Sequence, residues 1–239
     1  MEKNIKSQGF TLIELSIVLI IISLIVGGVV GGRSLIHSAN LNSIISEVNS
    51  YKLAVQQYED YYDKLPGDHN DAQSYWPAPQ CVDEATNPCN GDGDGEISSN
   101  FEDLRAWQHL SLAGMINENF DGLRAGVSGT RNPGINVPKS DSGWGGYIIY
   151  KLSGDWGATD FTNGTINVIT SGNTGCGSYM GCGVITGPDA KLIDKKTDDG
   201  KAGTGFVKGA GDWNNGWCLT GGEYDLTMKD KYCKLGFFF

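Results

Sequence analysis

Residues 10–32 read FTLIELSIVLIIISLIVGGVVGG, and this stretch decides the fold of the N-terminal part of the chain. Its only charged side chain is that of Glu14. A helix of this length spans about 35 Å, which exceeds the roughly 30 Å of a bilayer's hydrocarbon core. The sequence therefore predicts a membrane-spanning helix over residues 10–32.

The residues that flank this segment predict its orientation. Lys3 and Lys6 outweigh Glu2 in a short polar leader, residues 1–9, and Arg33 follows the apolar run. Positive charge in the leader favours a cytoplasmic N-terminus and export of the remainder. A secretory signal peptide is the alternative, but the apolar part of such peptides is only about 7–15 residues long.

The single carboxylate of this segment needs an explanation. A charge in hydrocarbon costs on the order of 2.5–3.5 kcal/mol on insertion scales, and a buried charge is tolerated when it is paired. We therefore expect Glu14 to have a partner of opposite charge. The alternative is a lone glutamate that reaches the membrane interface.

The heptapeptide GFTLIEL, residues 9–15, resembles the processing motif of type IV prepilins and type II secretion pseudopilins. The resemblance implies that a prepilin peptidase cleaves between Gly9 and Phe10 and that the new N-terminus of Phe10 is methylated. The new amino group on a neighbouring subunit is then the natural partner of Glu14, and this pair would fix the axial register of the helices.

The same resemblance implies partners and a location. The subunit is expected in the inner membrane before assembly, with its N-terminus in the cytoplasm. An inner-membrane assembly platform and other pilin or pseudopilin subunits then build a periplasmic or extracellular filament.

Apolar side chains recur at helical spacing beyond Arg33 and indicate that the helix continues to Tyr62. Because the residue before a proline avoids the helical region, Leu65-Pro66 predicts an end near Asp63. A helix over residues 10–62 would be about 80 Å long. Its predicted buried face consists of Leu41, Ile44, Ile45, Val48, Tyr51, Val55, Tyr58 and Tyr62.

Residues 63–239 are enough for an exported domain with a sizeable core. Runs rich in β-forming residues predict short antiparallel strands over residues 147–152, 165–170 and 205–208. The three C-terminal phenylalanines are expected to pair as a terminal strand or to pack against a neighbour. The resemblance implies an α+β, type IV pilin-like fold, in which the long helix packs on an antiparallel sheet domain with loop insertions and a C-terminal disulfide loop.

Two further helices are predicted. Ser99 and Glu102 form a capping-box pair before a helix over residues 101–116, in which Gly114 weakens the last turn. Pro188 begins a short helix over residues 188–195.

The six cysteines form an even set outside the apolar segment, which suits disulfides in an oxidising compartment. Six cysteines allow fifteen connectivities, so the pairing stays open. Pairs that close short loops are Cys81–Cys89, Cys176–Cys182 and Cys218–Cys233, and the last resembles the loop-closing disulfide near many pilin C-termini.

Residues 90–97, NGDGDGEI, place oxygen-bearing side chains at alternate positions, as the first part of an EF-hand-like calcium loop does. The acid that should close the loop is displaced by one position. The sequence predicts a Ca²⁺ site here, and a metal-free polar turn is the alternative, because Asp and Gly form turns for other reasons. The predicted ligands are Asn90, Asp92, Asp94, Glu96 through its backbone carbonyl, and Glu102.

Charge and motifs exclude other functions. The net charge is −10 and no basic cluster is present, so nucleic acid is not an expected partner. Ser128 lacks the spacing of a nucleophile elbow, no glycine-rich phosphate loop occurs, and we expect no enzyme. The cluster of Asp194, Asp198 and Asp199 is a second possible oxygen site or a solvated turn.

The favoured function is a structural subunit of a type IV pilus-class filament. One alternative is a minor pseudopilin of a type II secretion system. Another, from a different class, is a secreted calcium-dependent binding module with an N-terminal anchor.

Overall fold

The computed structural model describes residues 11–83, 87–98, 101–123, 131–150, 167–171, 183–211, 218–230 and 233–238. The chain divides into two compact units, Met1–Asn40 and Leu41–Phe239. The helices are α1 (Leu12–Tyr62), α2 (Ala72–Tyr75), α3 (Glu102–Leu112) and α4 (Gly187–Thr197). The strands are β1 (Val82–Asp83), β2 (Asn87–Pro88), β3 (Gly146–Tyr150), β4 (Asn167–Ser171), β5 (Val207–Ala210), β6 (Leu219–Thr220), β7 (Glu223–Tyr224) and β8 (Lys234–Phe238).

The long predicted helix is confirmed from Leu12 to Tyr62, while Thr11, which was also predicted to be helical, precedes the first turn. The helix ends at Tyr62, and Asp63 leaves the helical region with φ 53° while its N–H still reaches the carbonyl of Glu59 at 2.8 Å. Leu65 and Pro66 follow, so the chain cannot continue as a helix. Phe10, the predicted start, lies outside the described residues.

The second part of α1, within the unit Leu41–Phe239, buries one face. The predicted positions Ile45 and Tyr62 are only half buried and line the edge of this face. The spacing of three and four residues between the buried positions keeps them on one side of the helix. The fully buried members are Leu41, Ile44, Val48, Tyr51, Ala54, Val55 and Tyr58.

This face shares one core with α3 and β3. The Tyr51 ring lies 5.0 Å from the ring of Trp107 in α3 and 5.2 Å from that of Tyr147 in β3, measured between centroids. The Tyr147 hydroxyl donates to the Glu47 carboxylate at 2.6 Å, so the polar end of this buried side chain is satisfied by α1. Aromatic burial thus packs the helix on the sheet.

The sheet is antiparallel, with the strand order β3-β4-β8-β5. The C-terminal strand β8 lies between β4 and β5, which confirms the expected pairing of the last phenylalanines for Phe237 and Phe238. A long N-terminal helix, an antiparallel sheet and a disulfide near the C-terminus confirm the α+β, pilin-like fold class.

The prediction for α3 was wrong at its C-terminal end, because the helix stops at Leu112 rather than Ile116. Gly114 has φ 67°, and its N–H bonds the carbonyl of Ser111 while the N–H of Met115 bonds that of Leu110. These two bonds form a Schellman motif, which ends a helix at a left-handed glycine. Gly114 therefore ends the helix instead of merely weakening it.

Other boundaries also differ from prediction. Strand β5 begins at Val207 rather than Gly205, because Gly205 has φ 76° and belongs to a turn. Helix α4 extends past Lys195 to Thr197, and its first turn is capped by the Thr186 side chain, which accepts the Asp189 N–H. The ends of the first two predicted strands, at residues 151–152 and 165–166, lie outside the described residues.

A buried carboxylate fixes the C-terminal end of α4. Asp194 is fully buried, and its Oδ1 accepts the Gly200 N–H at 2.9 Å while its Oδ2 accepts the Tyr224 hydroxyl at 2.8 Å. Burial, together with the neighbouring carboxylates of Asp199 and Asp198, raises the pKa of Asp194 to about 6 against the effect of the two hydrogen bonds. The folded chain therefore retains a proton here that the unfolded chain has lost.

This linkage makes stability depend on pH. The contribution of Asp194 is greatest below the unfolded pKa and is lost as the pH rises through about 6. As the pH rises from about 4 to 7, the loss of the Asp194 proton should lower the free energy of unfolding by on the order of 3 kcal/mol. The variant Asp194→Asn should lack this decrease, as measured by urea denaturation of the full chain in detergent. The exposed control Glu59→Gln should follow the wild type, and parallel pH profiles for Asp194→Asn and wild type would contradict the assignment.

Candidate functional site

The apolar segment of α1 exposes all of its large side chains. From Leu12 to Ile36, every Leu, Ile and Val is between 49% and 91% exposed. The helix is long and apolar enough to cross a membrane. A contiguous apolar surface of this size marks a membrane or protein interaction site, and together with the N-terminal motif it fits membrane insertion.

Within this surface, Glu14 is held by the start of its own helix. Its Oε2 accepts the backbone N–H and the hydroxyl of Thr11, both at 2.8 Å, and the Thr11 hydroxyl oxygen accepts the Glu14 N–H at 3.3 Å. This reciprocal pair is a capping box. Both bonds end on Oε2, so within the described residues Oε1 is left for a further donor.

Two serines of the segment have their hydroxyls satisfied within the helix. The hydroxyls of Ser16 and Ser23 donate to the carbonyls of Ile13 and Leu19 in the preceding turn. These serines carry no charge and need no external partner. Glu14 therefore stands out as the one group in the segment whose charge needs a cation.

The predicted calcium loop folds around a carboxylate from another part of the chain. Asp68, in the turn after α1, is buried, and it accepts the N–H groups of Gly93 at 2.6 Å, Asp94 at 3.1 Å and Gly95 at 2.8 Å. One carboxylate oxygen each of Asp68, Asp92 and Asp94 lie within 4.8 Å of one another. The cluster is an all-oxygen donor set of the kind that Ca²⁺ prefers.

Two contacts bring the loop onto the turn. A Cβ atom at Gly91 would overlap the backbone of Gly67 and Asp68, so only glycine permits this approach. The buried His109 accepts the Gly67 N–H at Nδ1, at 2.9 Å, and its Nε2 lies 3.0 Å from the carbonyl of Cys89. Burial lowers the pKa of His109 to about 3, so the ring is neutral and joins the turn to the loop as a structural residue.

The predicted ligands are not all gathered at the cluster. The Asn90 side-chain oxygen accepts the Gln73 N–H at 2.9 Å, outside the loop. Glu102 accepts the N–H groups of Asp92 at 3.0 Å and Ser98 at 2.8 Å with its two oxygens. Glu102 thus closes the loop by hydrogen bonds. Ser99, its predicted partner in a capping box, lies outside the described residues.

The remaining acidic residues have separate roles. Asp103, the acid next to Glu102, is bound by the Nε of Arg131 at 2.7 Å and is turned away from the loop. The Asp94 side chain accepts the Glu96 N–H at 2.8 Å, which shapes the turn. Burial raises the pKa of Asp68, and the Glu102 carboxylate adds to this, against the three backbone N–H groups.

Sequence reasoning missed Asp68. It lies 24 positions before Asp92, and no ligand spacing connects the two residues. The only local signal is the Pro66-Gly67 turn, which predicts that the chain reverses after α1. The placement of Asp68 against the loop depends on packing at Gly91 and His109.

The second acidic group is organised as a turn. One oxygen each of Asp194, Asp198 and Asp199 lie within 4.8 Å of one another. Asp198 accepts the N–H groups of Phe206 and Val207, and Asp199 accepts that of Lys201. Asp198 and Asp199 thus serve as acceptors for their own loop, while Asp194 also binds the Tyr224 hydroxyl.

Disulfide bonds close two loops of the described chain. Cys218 and Cys233 are joined with an S–S distance of 2.02 Å, which confirms the predicted C-terminal disulfide loop. Cys81 and Cys89 are joined as well, and Cys89 lies directly before Asn90 in the acidic loop. Cys176 and Cys182 lie outside the described residues.

Comparison with known proteins gives one match, at the N-terminus. Residues 4–30 match the family described as the prokaryotic N-terminal methylation motif. No curated protein and no solved structure matches the chain. The matched residues include Gly9, Phe10 and Glu14, and the chain thus carries the leader and methylation segment that type IV prepilins and pseudopilins share.

Proposed function

We propose that this chain is a structural subunit of a type IV pilus-class filament. A prepilin peptidase cleaves it between Gly9 and Phe10, Phe10 is methylated, and the subunit is held in the inner membrane with its N-terminus in the cytoplasm. An assembly platform then adds it to a filament in which the apolar helices of many subunits bury one another. Other pilins or pseudopilins are its partners, and the filament is periplasmic or extracellular.

One observation carries the proposal: from Leu12 to Val30, α1 exposes a run of large apolar side chains in which the one carboxylate is that of Glu14. Burial of this surface against other copies supplies the driving force for assembly. Glu14 adds the specificity, since an apolar surface alone would allow helices to slide. Its Oε1 is available to the methylated amine of Phe10 on a neighbouring subunit, and any other register would leave the charge unpaired.

The variant Glu14→Ala should abolish filaments without preventing membrane insertion or cleavage. Without the carboxylate, no register of the apolar helices is favoured, and the amine of the neighbour is left unpaired. Sheared filaments and membranes from the same cells are compared by immunoblot, and the mass of the membrane form reports cleavage.

Two control variants separate charge from helix capping. Ser23→Ala alters another polar side chain of the segment that bonds its own helix, and it should leave filaments at the wild-type level. Thr11→Val removes the capping hydroxyl but keeps the carboxylate, and it should assemble better than Glu14→Ala. Normal filaments from Glu14→Ala would refute the register argument, whereas a wild-type chain that forms no filaments and is unaffected by Glu14→Ala would favour a secreted binding module with an anchor.

A minor pseudopilin of a type II secretion system is the second candidate, because it shares the N-terminal motif. The sheared-filament and membrane fractions of wild-type cells distinguish it from a pilus subunit. A processed chain that remains in membranes, absent from long surface filaments in the wild type, would favour the pseudopilin.

We also propose that the acidic loop binds Ca²⁺ through Asp68, Asp92 and Asp94. The three carboxylates repel one another when no cation is present, and the loop backbone already holds Asp68 in place through three N–H groups. Asn90 and Glu102, which the sequence also suggested, support the loop from outside through the Gln73 and Ser98 amides. The bound ion would fix residues 91–96 to the turn that follows α1.

Calcium should raise the thermal stability of the full chain in detergent. A concentration about 100-fold above the dissociation constant would add roughly 2.7 kcal/mol, or a shift of roughly 5–10 °C in Tm. Asp92→Asn combined with Asp94→Asn should remove the response, whereas Asp121→Asn, an exposed acid elsewhere, should keep it. An equal Tm in Ca²⁺ and in chelator for the wild type would refute the Ca²⁺ site and favour a metal-free polar turn.

A further inference from the structure

The part of α1 within the unit Leu41–Phe239 runs from Leu41 to Tyr62, and its two ends differ in surface chemistry. Asn42 and Tyr62 are separated by about 30 Å along the helix axis at 1.5 Å per residue. Acidic and aromatic side chains surround the Tyr62 end. Lysines and an apolar side chain lie at the Asn42 end.

The acidic-aromatic surface consists of Asp60, Tyr61, Asp63 and Tyr75. Tyr61 is 76% exposed and Tyr75 is 52% exposed, although both are large aromatic residues. Their rings are linked through Tyr62, which lies 4.7 Å from the Tyr61 ring and 5.2 Å from the Tyr75 ring. Exposed tyrosines grouped in this way are typical of protein interfaces.

The charge of this surface is negative. Asp60 and Asp63 are exposed on either side of the tyrosines in the sequence, and Lys64, which follows, is half buried. Asp71 is also exposed, and its carboxylate is bound by the Nε2 of His69 at 2.9 Å. A partner for this surface needs positive charge together with apolar atoms.

The basic surface consists of Leu192, Lys195, Lys196 and Lys201. Leu192 is 45% exposed, and the three lysines are exposed. Residues 192, 195 and 196 share one face of α4 because they are three and four positions apart. The Nζ of Lys196 donates to the side-chain oxygen of Asn42 at 2.8 Å, which places this surface at the Asn42 end of α1.

Asp198 and Asp199 lie beside the basic surface and accept backbone N–H groups of their own loop, which orients these carboxylates but does not remove their charge. Asp198 accepts the N–H of Val207 at 2.9 Å, and Asp199 accepts the N–H of Lys201 at 2.8 Å. Lysine stems cover apolar surface while their ammonium groups stay hydrated, and the Nζ of Lys196 also reaches the side chain of Asn42. The lysines match the requirement of the acidic-aromatic surface, since lysine pairs with carboxylates and its ammonium is attracted to tyrosine faces.

We infer that the acidic-aromatic surface of one subunit binds the basic surface of a second copy of this chain. Two different surfaces at the two ends of the Leu41–Tyr62 part of α1 form a heterologous, head-to-tail contact, and such contacts generate open helical filaments when the rotation does not close a ring. This inference rests on the proposed filament function and adds a contact between the exported domains to the contact between apolar helices.

Charge reversal tests the contact in cells that express the full chain. The basic-surface variant combines Lys195→Glu with Lys196→Glu. The acidic-surface variant combines Asp60→Lys with Asp63→Asn, because Asp63 has φ 53°, which asparagine adopts readily. Each variant should reduce the yield of sheared filaments about tenfold or more through like-charge repulsion, and the combined variant should restore it to within about threefold of wild type.

Cross-linking gives a second readout that does not depend on altered charge. Asp60→Cys with Lys195→Cys should give a ladder of cross-linked subunits in intact filaments treated with a short bismaleimide. Leu53→Cys with Lys195→Cys is the matched control, since Leu53 is 54% exposed but lies between the two ends, and it should give monomers.

The outcomes separate this contact from the filament itself. Wild-type yields from both charge variants, or filaments of the Asp60→Cys and Lys195→Cys chain without a ladder, would overturn the contact and leave the filament in place. A combined variant that stays as low as the single-surface variants would also overturn it, because opposite charges would then have failed to restore binding. If the wild type forms no filaments, the filament proposal fails and this contact fails with it.

Discussion

The rest of the structure depends on an apolar surface that the subunit cannot bury alone. From Leu12 to Ile36 the large side chains of α1 are exposed, and water is an unfavourable environment for a surface of this size. A bilayer or a bundle of identical helices can cover it. In both environments Glu14 needs compensation, and its capping bond with Thr11 supplies hydrogen bonds but no positive charge.

The same helix has a second environment beyond Leu41. There one face is buried, and Tyr51 and Tyr58 place aromatic rings in the core beside Trp107, Tyr147 and the turn after α1. The acidic loop is built onto that turn through Asp68 and His109. The core and the acidic loop thus meet at the end of α1, within the unit Leu41–Phe239.

The sequence predicted the features that depend on local patterns. The extent of α1 follows from apolar spacing and from Leu65-Pro66, and the pairing of Cys218 with Cys233 follows from a short loop that resembles the family. The prediction failed where distant residues meet. Nothing near Asp92 indicates that Asp68 binds the loop, since that contact depends on close backbone approach at Gly91. The end of α3 at Leu112 has a local signal in the left-handed Gly114 that follows it, because such a glycine ends a helix rather than weakening its last turn.

The most direct test of the account is electron microscopy of material sheared from the surface of native cells, together with mass spectrometry of its main protein band. The account predicts long filaments whose main band begins at Phe10 and carries one N-terminal methyl group. Filaments that lack this chain, or a chain in them that retains residues 1–9, would contradict the claim that processing at Gly9 and burial of α1 build the filament.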